Sequence, residues 1–253
     1  IAVANEGISV IEPVLEAKRP DLVVVVGDVN STLACTIDAK KHGIAVAHVE
    51  AGLRSGDMEM PEEINRIVTD SVSDLLFATD RIACENLLAQ GRGKEDTFLV
   101  GNVMIDTLLR HRQRALSRPT LQELGLAADG QTAPYAVVTL HRPANVDRPD
   151  RLSGIVRALG RVAEETTVVF PVHPRTQARL KEQHLDEELE HRGVNLIEPL
   201  GYLDLLNLNA NAEAVITDSG GIQEETTILG VPCLTLRDNT ERPVTIEQGT
   251  NRL

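Results

Sequence analysis

Three carboxylates stand at positions that could serve proton transfer. Asp28 follows Gly27 at the end of an apolar run, Glu50 lies in His48-Val49-Glu50-Ala51-Gly52-Leu53-Arg54 beside another such run, and Glu62 opens Pro61-Glu62-Glu63-Ile64-Asn65-Arg66. Two of them have a plain structural reading. Asp28 fits a helix N-cap, and Glu62 fits an acid on the positive end of a helix dipole behind a first-turn proline. Glu50 resists that reading, because an acid next to a buried strand end must be paired or put to work. Taken together the three suit proton transfer, since neighbouring acids raise one another's pKa and can divide proton donation from proton removal.

A second group of residues suits an anion. Asp218-Ser219-Gly220-Gly221-Ile222-Gln223-Glu224-Glu225 follows an apolar run and opens a helical pattern. Glycines there let a phosphate approach the backbone, and the helix N-terminus favours negative charge, so Ser219, Gly220 and Gly221 fit a diphosphate. Glu225 lies about one and a half turns into that helix, where a carboxylate can accept from both hydroxyls of a ribose. The pattern is not the Gly-x-Gly-x-x-Gly of dinucleotide enzymes, so no nicotinamide cofactor is implied. His141, in His141-Arg142-Pro143-Ala144-Asn145-Val146-Asp147, also ends an apolar run, a position for a catalytic or phosphate-contacting imidazole. Arg237 and Arg242 offer guanidinium groups for a phosphate or an ion pair between domains. His42, His111, His184 and His191 fall in polar stretches and read as surface.

What must position these groups is an α/β fold. Nine short β-branched runs, Leu22–Val26, Ile44–His48, Leu75–Ala78, Thr97–Val100, Ala136–Leu140, Thr167–Val172, Val194–Ile197, Ala214–Thr217 and Pro232–Leu236, alternate with helical stretches. Apolar runs without internal alternation suit strands buried on both faces of doubly wound parallel sheets. Between Gly101 and Pro134 the pattern holds no strand, which divides the chain into domains 1–101 and 102–253. Ligands of such sheets bind at the carboxyl ends of the strands, where Asp28, Glu50, His141, His173, Ser219 and Arg237 fall. Two sheets facing across a cleft would place Asp28 and Glu50 on one wall and His141, Ser219 and Arg242 on the other.

Composition narrows the partners. The 253 residues carry a net charge of −13, which opposes nucleic acid and anionic membrane surfaces, and the longest apolar run, Leu22 to Val26, is far too short to span a bilayer. Five aromatic residues leave no extensive stacking platform, so a ligand is held mainly by polar groups. Cys35, Cys84 and Cys233 lack metal-ligand spacing and read as buried thiols in a reducing cytosol.

The whole set of motifs, with Gly101-Asn102, Pro171-Val172-His173-Pro174 and Thr240-Glu241-Arg242-Pro243 added, resembles the non-hydrolysing UDP-N-acetylglucosamine 2-epimerases over nearly the full chain. The resemblance implies a glycosyltransferase-B type fold of two Rossmann-like domains, a cytoplasmic homodimer, and a product used in cell-envelope polysaccharide. It implies that the C2 proton is removed, UDP leaves C1 to give 2-acetamidoglucal, and UDP adds back with a proton returned to the opposite face, with neither metal nor cofactor. Asp28, Glu50 and Glu62 match the acid/base carboxylates, and His141 the histidine beside the leaving diphosphate. Ser219, Gly220 and Gly221 match the diphosphate cradle, Glu225 the ribose acceptor, and Arg66 and Arg242 the binding arginines. His173 matches a neighbouring site where UDP-N-acetylglucosamine acts as activator.

The chain departs from that family at its ends. It lacks the opening strand with its Gly-Thr-Arg-Pro-Glu loop and the closing helices, so it reads as a fragment whose first domain is incomplete. The rival readings are the hydrolysing branch, which releases UDP and N-acetylmannosamine, and a nucleotide-sugar-binding protein without turnover. Intact Pro61-Glu62-Glu63 and Gln223-Glu224-Glu225 favour the non-hydrolysing enzyme.

Overall fold

The computed structural model describes residues 2–128 and 130–253, with side chains from residue 9 onward; Ile1 and Asp129 lie outside the described residues. The chain forms two compact units. The first runs to Val103 and takes in Asn239–Arg242, and the second comprises Met104–Asp238 and Pro243–Leu253. The tetrapeptide 239–242, expected with the second domain, thus groups with the first.

In the first unit α1 (Ala2–Lys18), β1 (Leu22–Val26), α2 (Asn30–Lys41), β2 (Ala45–Ala51), α3 (Pro61–Val72), β3 (Leu75–Ala78), α4 (Arg81–Ala89) and β4 (Thr97–Leu99) alternate. The strands form one parallel sheet in the order β1-β2-β3-β4. Leu15, Val25, Ala39 and Val46 pack on one side, and Ala51, Leu53, Leu76, Ala78, Ala83 and Leu87 form a second cluster. β2 runs longer than its apolar core predicts, because the chain continues through His48 and Glu50 to Ala51 with a register shift against β3 between Val49 and Ala51. Asp80 caps α4 by accepting from the Ala83 amide at 2.8 Å, a worked instance of an N-cap acid.

The second unit opens with α5 (Val103–Leu116) and α6 (Thr120–Glu123), followed by a short hairpin of β5 (Ala127–Ala128) and β6 (Gln131–Thr132). That hairpin lies in a stretch expected to be strandless; two-residue strands are too short to show an alternating pattern. Then follow β7 (Tyr135–Thr139), α7 (Pro143–Val146), α8 (Pro149–Ala163), β8 (Thr167–Pro171), α9 (Pro174–Glu182), α10 (Leu185–His191), β9 (Val194–Ile197), α11 (Tyr202–Ala210), β10 (Ala214–Thr217), α12 (Gly220–Leu229), β11 (Cys233–Thr235), α13 (Val244–Glu247) and β12 (Asn251–Arg252). β12 pairs parallel with β11.

Six of these strands form a parallel sheet in the order β12-β11-β10-β7-β8-β9. The chain starts at β7 in the middle, moves out to β9, and returns to β10 on the other side. β7 and β10 are therefore neighbours whose following loops diverge, the switch point where parallel sheets bind ligands. Their register pairs Thr139 with Thr217, so His141 and Asp218 emerge side by side. Val138, Phe170, Leu152, Leu180 and Leu189 fill one face, and Tyr135, Val137, Leu208 and Val215 the other. Among the described residues no helix is long and apolar enough to cross a membrane.

Of the cysteines only Cys233 is buried; Cys35 and Cys84 are half-buried, contrary to the expectation of three buried thiols. All three are free, and burial pushes each thiol above its ordinary range.

Candidate active site

In the first unit β1 delivers Asp28 and β2 delivers Glu50. Asp28 is about a third exposed, and one of its oxygens accepts from Arg66 Nη1. Its backbone carbonyl accepts from Asn65 Nδ2 at 2.8 Å, so α3 grips the loop by side chain and main chain at once. Arg66 is itself fully buried and gives Nη2 to Glu63 Oε2 at 2.7 Å. Glu63 also accepts from the Ser55 and Gly56 amides at 2.9 and 3.0 Å. Burial alone would raise the Glu63 carboxyl, but these amides and Arg66 together hold it below the usual carboxylate range. Of the acid pair that opens α3, Glu63 is thus committed to structure, and Glu62 remains partly exposed beside it.

Glu50 has φ +69, in the left-handed region that a non-glycine residue adopts only at a cost. The twist turns its carboxylate over Gly27, where a Cβ would stand 3.3 Å from Glu50 Oε2. Arg242 Nη2 lies 3.9 Å from Glu50 Oε1, while Nη1 of the same arginine bonds Glu241 Oε1 at 2.7 Å. Arg242 therefore lies beside Glu50 and groups with the first unit, where the sequence had grouped it with Ser219 and His141. The cause is the grouping of Asn239–Arg242 with the first unit, a tertiary contact across nearly the whole chain.

In the second unit His141, about half exposed, places Nδ1 3.0 Å from Asp218 Oδ1. Asp218 is fully buried and accepts from the Arg142 amide at 3.0 Å and from Asn145 Nδ2 at 3.2 Å. Burial would raise its carboxyl, yet His141, the Arg142 amide and Asn145 hold it low, so it is a carboxylate orienting an imidazole. That leaves His141 Nε2 for a ligand. A cavity of ≈ 290 Å³ opens there, lined by His141, His173, Ser219, Leu200, Leu205 and Ile222.

Ser219 occupies the N-cap position of α12 without a side-chain cap bond, which leaves its hydroxyl for a ligand. Gly220 is buried in the first turn, and a Cβ on Gly221 would meet Met104 Cε at 2.7 Å, so packing explains the second glycine at least in part. Glu225 is buried, and burial raises its carboxyl although Tyr202 donates to Oε1 at 3.2 Å. The Tyr202 phenol is pushed up to about 12 by burial and that carboxylate. His173 borders the same cavity: it is exposed, accepts from the Arg175 amide at 3.2 Å as the cap of α9, and holds its ring tilted with its centroid 5.9 Å from that of His141.

The structure therefore assembles Asp28, Glu50, Arg66 and Arg242 in one unit and His141, Ser219, Gly220, Gly221, Glu225 and His173 in the other. Sequence reasoning passed over Glu63, Asp218 and Tyr202. Asp218 carried a signal, an acid at a buried strand end next to Ser219; Glu63 and Tyr202 carried none that separates them from their neighbours.

Comparison with known proteins adds to this geometry. Residues 2–253 match the family model described as UDP-N-acetylglucosamine 2-epimerase. The chain is 47% identical over 248 residues to UDP-N-acetylglucosamine 2-epimerase of Methanocaldococcus jannaschii, covering 96% of this chain and 67% of that one. It is 44% identical to UDP-2,3-diacetamido-2,3-dideoxy-D-glucuronate 2-epimerase of Pseudomonas aeruginosa, over 96% of this chain and 66% of the relative. The crystal structure of the Methanocaldococcus jannaschii enzyme in complex with UDP-GlcNAc and UDP superposes with a TM-score of 0.91 at 45% identity, over 98% of this chain and 68% of that one.

Proposed function

We propose, from the premise that this chain belongs to the UDP-N-acetylglucosamine 2-epimerase family, that it interconverts UDP-N-acetylglucosamine and UDP-N-acetylmannosamine by elimination and re-addition of UDP. The fold is the α/β, glycosyltransferase-B type of its relatives, with two Rossmann-like domains. Both relatives described above are named for epimerisation at C2 of a UDP-sugar, and neither name describes hydrolysis, so the hydrolysing alternative is not favoured.

The observation that carries the mechanism is the strained Glu50, whose left-handed backbone sets a carboxylate over Gly27 beside the Asp28 loop. Strain of that kind persists where the surrounding structure holds it, and it clusters at functional sites. Glu50 and Asp28, with Glu62 partly exposed in the first turn of α3, take and return the C2 proton. Arg66 holds Asp28 in place. In the second unit His141, turned by Asp218, faces the departing diphosphate; Ser219 and the α12 N-terminus receive that diphosphate, and Glu225 accepts from the ribose. Arg242 supplies positive charge next to Glu50, and His173, exposed beside His141, is the contact for a second UDP-N-acetylglucosamine acting as activator. Free thiols fit a cytoplasmic enzyme, and the symmetry common to soluble enzymes fits a homodimer serving envelope polysaccharide synthesis.

Glu50→Gln tests this in heavy water. The amide keeps the shape and much of the hydrogen bonding but cannot carry the proton, so deuterium uptake at C2 and epimerisation should both fall by ~10²–10⁴. Exchange at the wild-type rate would return Glu50 to a structural role, and no exchange in the unmutated protein would favour a nucleotide-sugar-binding protein without turnover.

A further inference from the structure

The ring of His48 is completely buried in β2. Nδ1 lies 2.6 Å from Asp70 Oδ1, and Nε2 lies 2.9 Å from the Gly27 carbonyl oxygen. A carbonyl oxygen only accepts, so Nε2 carries a proton. The Nδ1 bond could hold its proton on either partner, and the surroundings of Asp70 decide. Asp70 Oδ2 accepts from the Gly52 amide at 3.0 Å and lies 2.7 Å from Arg54 Nη2. A guanidinium and an amide on one oxygen favour the ionised carboxylate, which places the other proton on His48 Nδ1.

The two bonds lead to the proposed proton carriers. Gly27 immediately precedes Asp28, and Gly52 follows Glu50 by two residues. The Gly27 amide also donates to the Val49 carbonyl at 3.0 Å, so the end of β1 is tied to β2 on both sides of the peptide. Glu50, at φ +69, stands between these anchors.

We infer that His48 is a buried imidazolium that positions Asp28 and Glu50, through the Gly27 carbonyl on one side and through Asp70 and the Gly52 amide on the other. His48 touches no substrate in this scheme; it is a positioning residue. Its charge is balanced by Asp70, and Arg54 is the further charged group on that carboxylate. The role rests on the reading of Asp28 and Glu50 as proton carriers.

Nitrogen-15 NMR of the protein, with the His48 signals assigned by their loss in His48→Asn, should show hydrogen on both ring nitrogens at neutral pH. A ring with one bare nitrogen overturns the inference. Turnover per UDP-binding site should fall about 10²-fold in His48→Asn, the scale of a misplacement near 1 Å, with KM and UDP affinity unchanged. Unchanged turnover per site also overturns it, since a merely structural role would lower only the number of competent sites. Should His48→Asn fail to fold, Asp70→Asn removes the counter-charge: one ring nitrogen should then be bare and turnover per UDP-binding site should fall about 10²-fold, and unchanged turnover there overturns the inference. Failure of the underlying reading looks different: Asp28→Asn and Glu50→Gln would then keep deuterium exchange whatever the state of the His48 ring.

Discussion

At Glu225 the demands of folding and of the proposed ligand oppose each other. The carboxylate is buried next to Glu224, and burial raises it above its ordinary range. An acid raised in the fold prefers its protonated form there, so its ionisation destabilises the protein as pH rises above the unfolded value of about 4.3. Glu225→Gln should therefore raise the melting temperature at pH 7 while weakening UDP binding, because the amide is a poorer double acceptor for a ribose. Differential scanning fluorimetry with and without UDP reads both effects; a lower melting temperature together with unchanged UDP affinity would remove Glu225 from the ribose role. At this scale the sequence displayed the acids but not their division of labour. Glu62 and Glu63 are chemically identical neighbours, and only the amides of Ser55 and Gly56 and the fork of Arg66 mark Glu63 as structural.

The turn between β2 and α3 shows how an element fixes a side chain it does not contain. Gly52 has φ +85, and a Cβ there would meet the Ala83 carbonyl oxygen at 2.3 Å, a backbone atom of α4 that cannot rotate away. Its amide holds Asp70 and its carbonyl accepts from Asn86 Nδ2 at 3.0 Å. Gly52→Ala should cost about 2 kcal/mol or more of stability in urea unfolding, through strain and overlap together. A cost within ±0.5 kcal/mol, the scale of a surface substitution, would mean that α4 yields and that the turn does not hold Glu50. The strand that carries Glu50 was legible as an apolar run to His48, whereas its extension past His48 through Glu50 to Ala51 was not. Those polar residues continue the ladder only because Asp70, Gly27 and Arg242 wait on the neighbouring elements.

Over the whole molecule the acid–base balance sets a pH dependence. Glu63 and Asp218 are each held low by their partners against the opposing effect of burial, so they stay ionised in the fold to lower pH than in the unfolded chain. A depressed carboxyl contributes stability that is present above its unfolded value, about pH 4, and is lost as pH falls through the folded value. The melting temperature should drop below about pH 4, and Glu63→Gln should show a shallower drop from a lower plateau. Equal slopes in the two proteins would show that Glu63 titrates alike folded and unfolded. What the sequence by itself determined was the class of fold and the chemistry on offer: buried apolar runs oblige parallel sheets, and parallel sheets bring the residues after each strand to one edge. Doubly wound units, eight of nine strands within one residue or so at each end, and the anion-binding start of α12 follow from that local pattern. Partnership was decided only by tertiary structure. Arg242 sits by Glu50, Asp218 turns His141, and Asp70 faces His48 because residues 22 to 192 positions apart are brought within bonding distance, and a linear pattern states which groups exist without stating which of them touch.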